Sequence, residues 1–141
     1  MLLIVLDTNV LVSGLLRPFG TPARVLDQVI SNTVQVAFDD RILDEYIEVL
    51  SRPKFGFSGM QIKALVDHIR LNGQHVVAAP LPPESFPDPG DIPFAEVAVS
   101  APVQVLVTGN LDHFELLERY GVSVLSPREF IESLGRLLSK D

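Results

Sequence analysis

Residues 1–13 read MLLIVLDTNVLVS: six apolar residues, then a carboxylate at Asp7, with Thr8 and Asn9 directly behind it. The run does not read as a secretory leader, because it is short and lacks both a basic flank and a small-residue cleavage site. A strand over Leu2–Leu6, buried on both faces and ending on Asp7, fits the pattern better. Such a strand would hold an acid at the rim of the core rather than on a solvated face. The bland alternative is that Asp7 merely caps the turn that follows.

The bulk composition narrows the class. At 141 residues the chain is expected to form a single domain over residues 1–141, large enough to bury a core. Apolar residues make up 47% of it, yet no apolar run approaches the roughly 20 residues that span a bilayer. There is no cysteine, which removes disulfides, thiolate metal sites and cysteine nucleophiles together. His68, His75 and His113 are scattered along the chain, so a zinc site of histidines is not expected. Without an export signal, the expected compartment is the cytoplasm. A net charge of −7 opposes direct phosphate binding. Clustered carboxylates, however, are relieved by divalent cations, and two such ions would bring −7 to −3 and attract phosphate themselves.

Short β-branched runs alternate with helical patterns along the chain. Val34–Phe38 reads as a second strand, after a helix opened by Thr21 and Pro22 as N-cap and first helical residue. Residues 40–51 are helical, with Ile42, Leu43, Tyr46, Ile47 and Leu50 on one face. Ser58 and Gln61 form a capping-box pattern for the next helix, and Gly73 stands where it should stop. Residues 75–78 read as a short strand. Residues 80–93 hold six of the eleven prolines and read as a stiff connection ending at Asp91, which can cap a helix through FAEVAVSA. Strands over 103–107 and 122–125 flank a helix over 111–120, and Ser126 with Glu129 caps a final helix. The alternation predicts an α/β fold, a three-layer α/β/α sandwich with a central parallel sheet. Functional groups in such sheets lie beyond the carboxyl ends of the strands, where Asp7, Thr108, Gly109 and Asn110 all fall.

The helical wheel ranks the acids of the helix over 40–51. Measured from the centre of the apolar face, Glu45 lies at about 117°, Asp44 at about 143° and Glu48 at about 177°. Glu45 is therefore the acid nearest the buried boundary. Asp91 precedes a helix, Asp88 lies three residues earlier, and Asp112 follows Asn110 at the end of the later strand. Oxygen donors without cysteine or clustered histidine suit Mg²⁺ or Mn²⁺. Two such ions could clamp a phosphodiester and activate water for its hydrolysis.

These segments together resemble the PIN-domain family of metal-dependent ribonucleases. LDTNVLVS is similar to the family's opening strand and first catalytic aspartate, which falls on Asp7. DDRILDEYIEVLSRPKF places the second acid on Glu45, and PDPGDIPFAEVA the third on Asp91. QVLVTGNLDHFELL resembles the fourth motif, and VSVLSPREFIESL the closing strand and helix. The fourth motif departs from the pattern: Asn110 stands where the family carries an aspartate, with Asp112 two residues on as a substitute. The resemblance implies Asp7, Glu45, Asp91 and Asp112 as catalytic acids, with Asn110 joining them around Mg²⁺ or Mn²⁺. Thr8, Asn9 and Thr108 would orient the acids, and Arg17, Arg52 and Lys54 could meet RNA phosphates. It further implies an endoribonuclease for single-stranded RNA of the toxin type, dimeric and inhibited by a small antitoxin protein. The competing expectation, raised by Asn110, is a PIN domain that binds RNA or protein without cutting. A haloacid-dehalogenase phosphatase would want an aspartate at Asn9, and a receiver domain a lysine within SPRE.

Overall fold

The computed structural model describes residues 1–139. Five parallel strands form one sheet in the order β3-β2-β1-β4-β5. They are β1 (Leu2–Leu6), β2 (Val34–Phe38), β3 (Gln74–His75), β4 (Val105–Val107) and β5 (Ser123–Leu125). β1 is central, every one of its residues is buried, and it pairs Ile4 with Val36 on one side and with Val105 on the other. Burying each such side chain contributes about 1.5–3 kcal/mol, so the strand end, and with it Asp7, is held firmly. The α/β architecture with a central parallel sheet is the one the alternation predicts.

Among the described residues six α-helices surround the sheet: α1 (Thr8–Leu16), α2 (Thr21–Ile30), α3 (Asp40–Leu50), α4 (Gly59–Asn72), α5 (Ile92–Ser100) and α6 (Pro127–Leu138). A further 3-10 helix runs over Leu111–Tyr120. α1, α2 and α6 pack together, while α5 packs on β1 and on the 3-10 helix. Right-handed crossovers from a central β1 put these two groups on opposite faces. Among the described residues no helix is long and apolar enough to cross a membrane.

Several local expectations change. α1 begins immediately after Asp7, where no helix is expected from TNVLVSGLL, with its β-branched residues and glycine. Thr21 is the first residue of α2 and not its cap; Gly20 occupies that position without a side-chain bond. The 111–120 helix is 3-10 rather than α, and β3 and β4 are shorter than expected. Gly73 does end α4, but at φ −83, outside the left-handed region. Its requirement is space, because a Cβ there would stand 2.4 Å from the Val36 carbonyl oxygen and 2.5 Å from that of Ile69. The Ser126–Glu129 capping box is present with both of its bonds.

Candidate active site

The end of β1 delivers Asp7 into a set of fixed donors. Its Oδ1 accepts the Thr8 amide at 2.8 Å, which makes Asp7 the N-cap of α1. Its Oδ2 accepts the Thr108 hydroxyl at 2.8 Å and the Asn9 side-chain amide at 3.2 Å. Thr108 comes from the end of the neighbouring strand β4, and its Oγ1 in turn accepts the Asn110 amide at 2.9 Å. The Asn9 carbonyl oxygen accepts the Gly109 amide at 3.1 Å. Asp7 therefore caps a helix and faces the sheet edge at once; the two readings do not compete. Thr8, Asn9 and Thr108 are the groups that orient Asp7 and Glu45.

Glu45 reaches this edge from α3, where Thr8 Oγ1 donates to its Oε2. Asp44 and Glu48 on the same helix are exposed, as the wheel predicts. Tyr46 sets the position of α3: it is fully buried, and its hydroxyl donates to the Leu6 carbonyl at 2.6 Å, one residue before Asp7. Adjacent residues of α3 thus contact the last two elements of the β1–α1 junction, which brings Glu45 beside Asp7.

Asp91 comes from the proline-rich connection and is 7% exposed. It occupies the N-cap position of α5 but makes no capping bond with its side chain. The expected cap is absent, and the carboxylate is turned instead toward His113, whose Nδ1 lies 2.9 Å from Asp91 Oδ2. Asp88 Oδ1 accepts the Gly90 amide at 2.9 Å and closes the turn below. Ligand-capable atoms of Asp88, Asp91 and His113 all lie within 4.8 Å of one another. Asp7 and Glu45 border this closer group without belonging to it. Asp112 is exposed and is not drawn into it, and Asn110 is exposed as well. Both line a cavity of about 350 Å³ with Gly109, Leu111 and His113.

Electrostatics sharpen the picture. Burial raises the Asp7 carboxyl above its ordinary value, with the Asp91 charge adding to it and the bonds from Thr108 and Thr8 opposing. Burial likewise raises Glu45, helped by Asp7, Asp88 and Glu48 and opposed by the Thr8 bond. Asp91 is raised by burial, with His113 lowering it and Asp88 and Glu45 raising it. Among the described residues no lysine or arginine forms an ion pair with these three acids. A concentration of buried negative charge and oxygen donors, paired among the described residues with His113 and with no lysine or arginine, fits a divalent metal ion.

A stability consequence follows. Each of these carboxyls binds its proton more tightly folded than unfolded. The stabilisation is therefore complete below the ordinary carboxyl range and is lost as pH rises through the raised values. In EDTA the contribution of these three carboxyls is expected to fall as pH rises above the ordinary carboxyl range of about 4, and Mn²⁺ to offset part of that loss. Thermal melts with and without Mn²⁺ check this; a melting point that rises with pH in EDTA contradicts it.

Arg17 is the C-cap of α1, and Arg52 lies beyond the end of α3, with extended backbone before the Pro53–Phe55 turn that carries Lys54. Arg52 pairs with Glu48 at 2.9 Å, and the Lys54 amine lies 5.1 Å from the Phe55 ring centroid.

Three features escape a reading by sequence alone. His113 is one, because its meeting with Asp91 spans 22 residues. Arg41 and Glu96 are the others: Arg41 Nη1 donates to the buried Glu96 at 2.8 Å and the same guanidinium pairs with Asp39 at 2.8 Å. A signal for Glu96 does exist, since an acid inside the otherwise apolar IPFAEVAVS must be buried with a partner.

The α/β sheet carries oriented acids beyond its central strand, beside an acidic cluster that could hold a metal ion. The PIN domain family model matches residues 3–112, and the chain belongs to that family. Its fold is of nuclease type. No curated protein matches the chain.

Proposed function

We propose that the protein is a Mg²⁺- or Mn²⁺-dependent endoribonuclease acting on single-stranded RNA. The observation that supports this reading best is the convergence of Asp7, Glu45 and Asp91 at one sheet edge, with no lysine or arginine among their ion-pair partners within the described residues. A divalent ion held there would supply Lewis acidity and an activated water for phosphodiester hydrolysis. Asp7, Glu45 and Asp91 would hold it, while Thr8, Asn9 and Thr108 fix the carboxylates so that little reorganisation accompanies the reaction. Arg17, Arg52 and Lys54 would meet phosphates further along the strand. The compartment in this reading is the cytoplasm, and the role is that of a dimeric toxin restrained by a small antitoxin protein.

The test is a labelled single-stranded RNA incubated with purified protein and either Mn²⁺, Mg²⁺ or EDTA. Cleavage is expected with the metals and not in EDTA; equal cleavage in EDTA overturns the reading. A second reading is favoured by the uncharged Asn110: a domain that binds RNA or protein without cutting. Retention of RNA in a gel shift with no cleavage in Mn²⁺ would select it.

A further inference from the structure

We infer that His113 takes over the ligand position left without charge by Asn110, so that Asp88, Asp91 and His113 form a mixed oxygen–nitrogen cation position selective for Mn²⁺ over Mg²⁺. The inference rests on the metal-dependent reading above and concerns which atoms complete the site.

The local backbone supplies the first argument. The His113 amide donates to the Asn110 carbonyl at 3.1 Å, the i to i+3 bond of a 3-10 turn. Asn110 is the N-cap of this helix, at φ −121 and ψ 73, and the turn it opens carries His113 back to Asp91. Asp112 is exposed. Of the titratable residues that follow β4, it is therefore His113 and not Asp112 that joins Asp88 and Asp91.

Spacing supplies the second. Adjacent ligands of an octahedral ion with bonds of about 2.1 Å stand about 3 Å apart, and opposite ligands about 4.2 Å. His113 Nδ1 and Asp91 Oδ2 share a proton across 2.9 Å; an ion binding both atoms would release that proton to solvent, and the separation suits an adjacent pair. The 4.8 Å limit on the whole group leaves little rearrangement for Asp88. Asp88 commits Oδ1 to the Gly90 amide and keeps its other oxygen available.

Donor chemistry supplies the third. Mg²⁺ prefers oxygen and surrenders water reluctantly, whereas imidazole nitrogen suits the transition metals. Replacing a carboxylate with a neutral imidazole also removes one negative charge, which weakens Mg²⁺ more than an ion that bonds nitrogen well. The departure at Asn110 thus changes the preferred metal instead of emptying the position.

The experiment is Mn²⁺ and Mg²⁺ titration of the EDTA-stripped protein by calorimetry, with pulsed electron paramagnetic resonance of the Mn²⁺ complex. Wild type is expected to bind Mn²⁺ more tightly than Mg²⁺ and to show ¹⁴N coupling from a directly bonded nitrogen. His113→Gln should lose that coupling and bind Mn²⁺ at least about tenfold more weakly, with Mg²⁺ binding little changed. Asp112→Asn should match wild type in both. Mn²⁺ bound without ¹⁴N coupling, or with coupling that persists in His113→Gln, overturns the assignment of His113 while leaving the metal site in place. Absence of Mn²⁺ binding overturns the metal-dependent reading itself. Thermal melts of His113→Gln in EDTA confirm that the variant is folded.

Discussion

Asp7→Asn is expected to abolish RNA cleavage, by at least about a thousandfold, while leaving the fold intact. A bound cation contributes several kcal/mol to stabilising a phosphoryl transition state, and about 4 kcal/mol corresponds to a factor of a thousand. Removing one of its buried carboxylates removes much of that. The fold should survive because asparagine caps helices as well as aspartate, so the bond from the Thr8 amide is kept. The new side-chain amide faces the Thr108 hydroxyl, which can turn to accept it, at the cost of the weaker 3.2 Å contact from Asn9. That loss of about 1 kcal/mol is offset by relief of a buried charge raised in pKa by its surroundings.

The melting temperature in EDTA should consequently stay within about 5 °C of wild type. Mn²⁺ separates the two proteins. At a hundred times its dissociation constant a ligand stabilises by about 2.7 kcal/mol, which is several degrees for wild type and little for the variant. Cleavage above a tenth of the wild-type rate, or an unchanged Mn²⁺ shift, would sink the placement of Asp7 in the site.

How far the sequence carries this picture depends on the range of each interaction. β1 was legible because an uninterrupted apolar run ending on an acid has few other solutions. That Glu45 is the least exposed acid of α3 was legible because helical periodicity alone ranks it above Asp44 and Glu48. α1 was not, since Val10, Val12 and Gly14 have weak helix propensity and the helix forms on the cap from Asp7 and on burial of its inner face. Asp91 reads as a cap from its position, yet its carboxylate is diverted to His113, a competition between local and distant partners that spacing cannot decide. The 3-10 character of residues 111–120 has the same origin. Phe114 and Leu117, three residues apart, are both fully buried, and packing selects the winding that eclipses them. Where the chain needed only its own period, the site could be read; where two segments negotiate a contact, it could not.

Glu96 offers the largest expected effect on stability. It is 6% exposed, and its two oxygens serve two different segments: Oε1 accepts Arg41 at 2.8 Å and Oε2 accepts the Leu81 amide at 2.8 Å. Arg41 continues the chain of contacts to Asp39, which caps α3 through the Ile42 amide at 3.1 Å. One carboxylate on α5 thereby fastens the start of α3 and the proline-rich connection. Glu96→Ala strands the Leu81 amide and removes a partner of Arg41. Breaking a buried pair costs about 3–5 kcal/mol. Arg41 is 47% exposed and can turn to water, so the lower end of that range applies. A fall of roughly 5–12 °C in melting temperature is expected. Glu96→Gln retains one of the two bonds and should lose about half as much.

The comparison that matters is a double-mutant cycle with Arg41→Ala. That change leaves Asp39 and Glu96 without their shared cation, so the two single losses should sum to more than the loss in the double variant. Simple additivity would mean that the pair is incidental to the packing of α3 on α5. Because α3 carries Glu45 and Asp91 immediately precedes α5, the same variants should bind Mn²⁺ more weakly in the order of their instability. A folded Glu96→Ala protein with wild-type Mn²⁺ affinity would show instead that β1 and the Tyr46 bond to Leu6 suffice to hold the acids together.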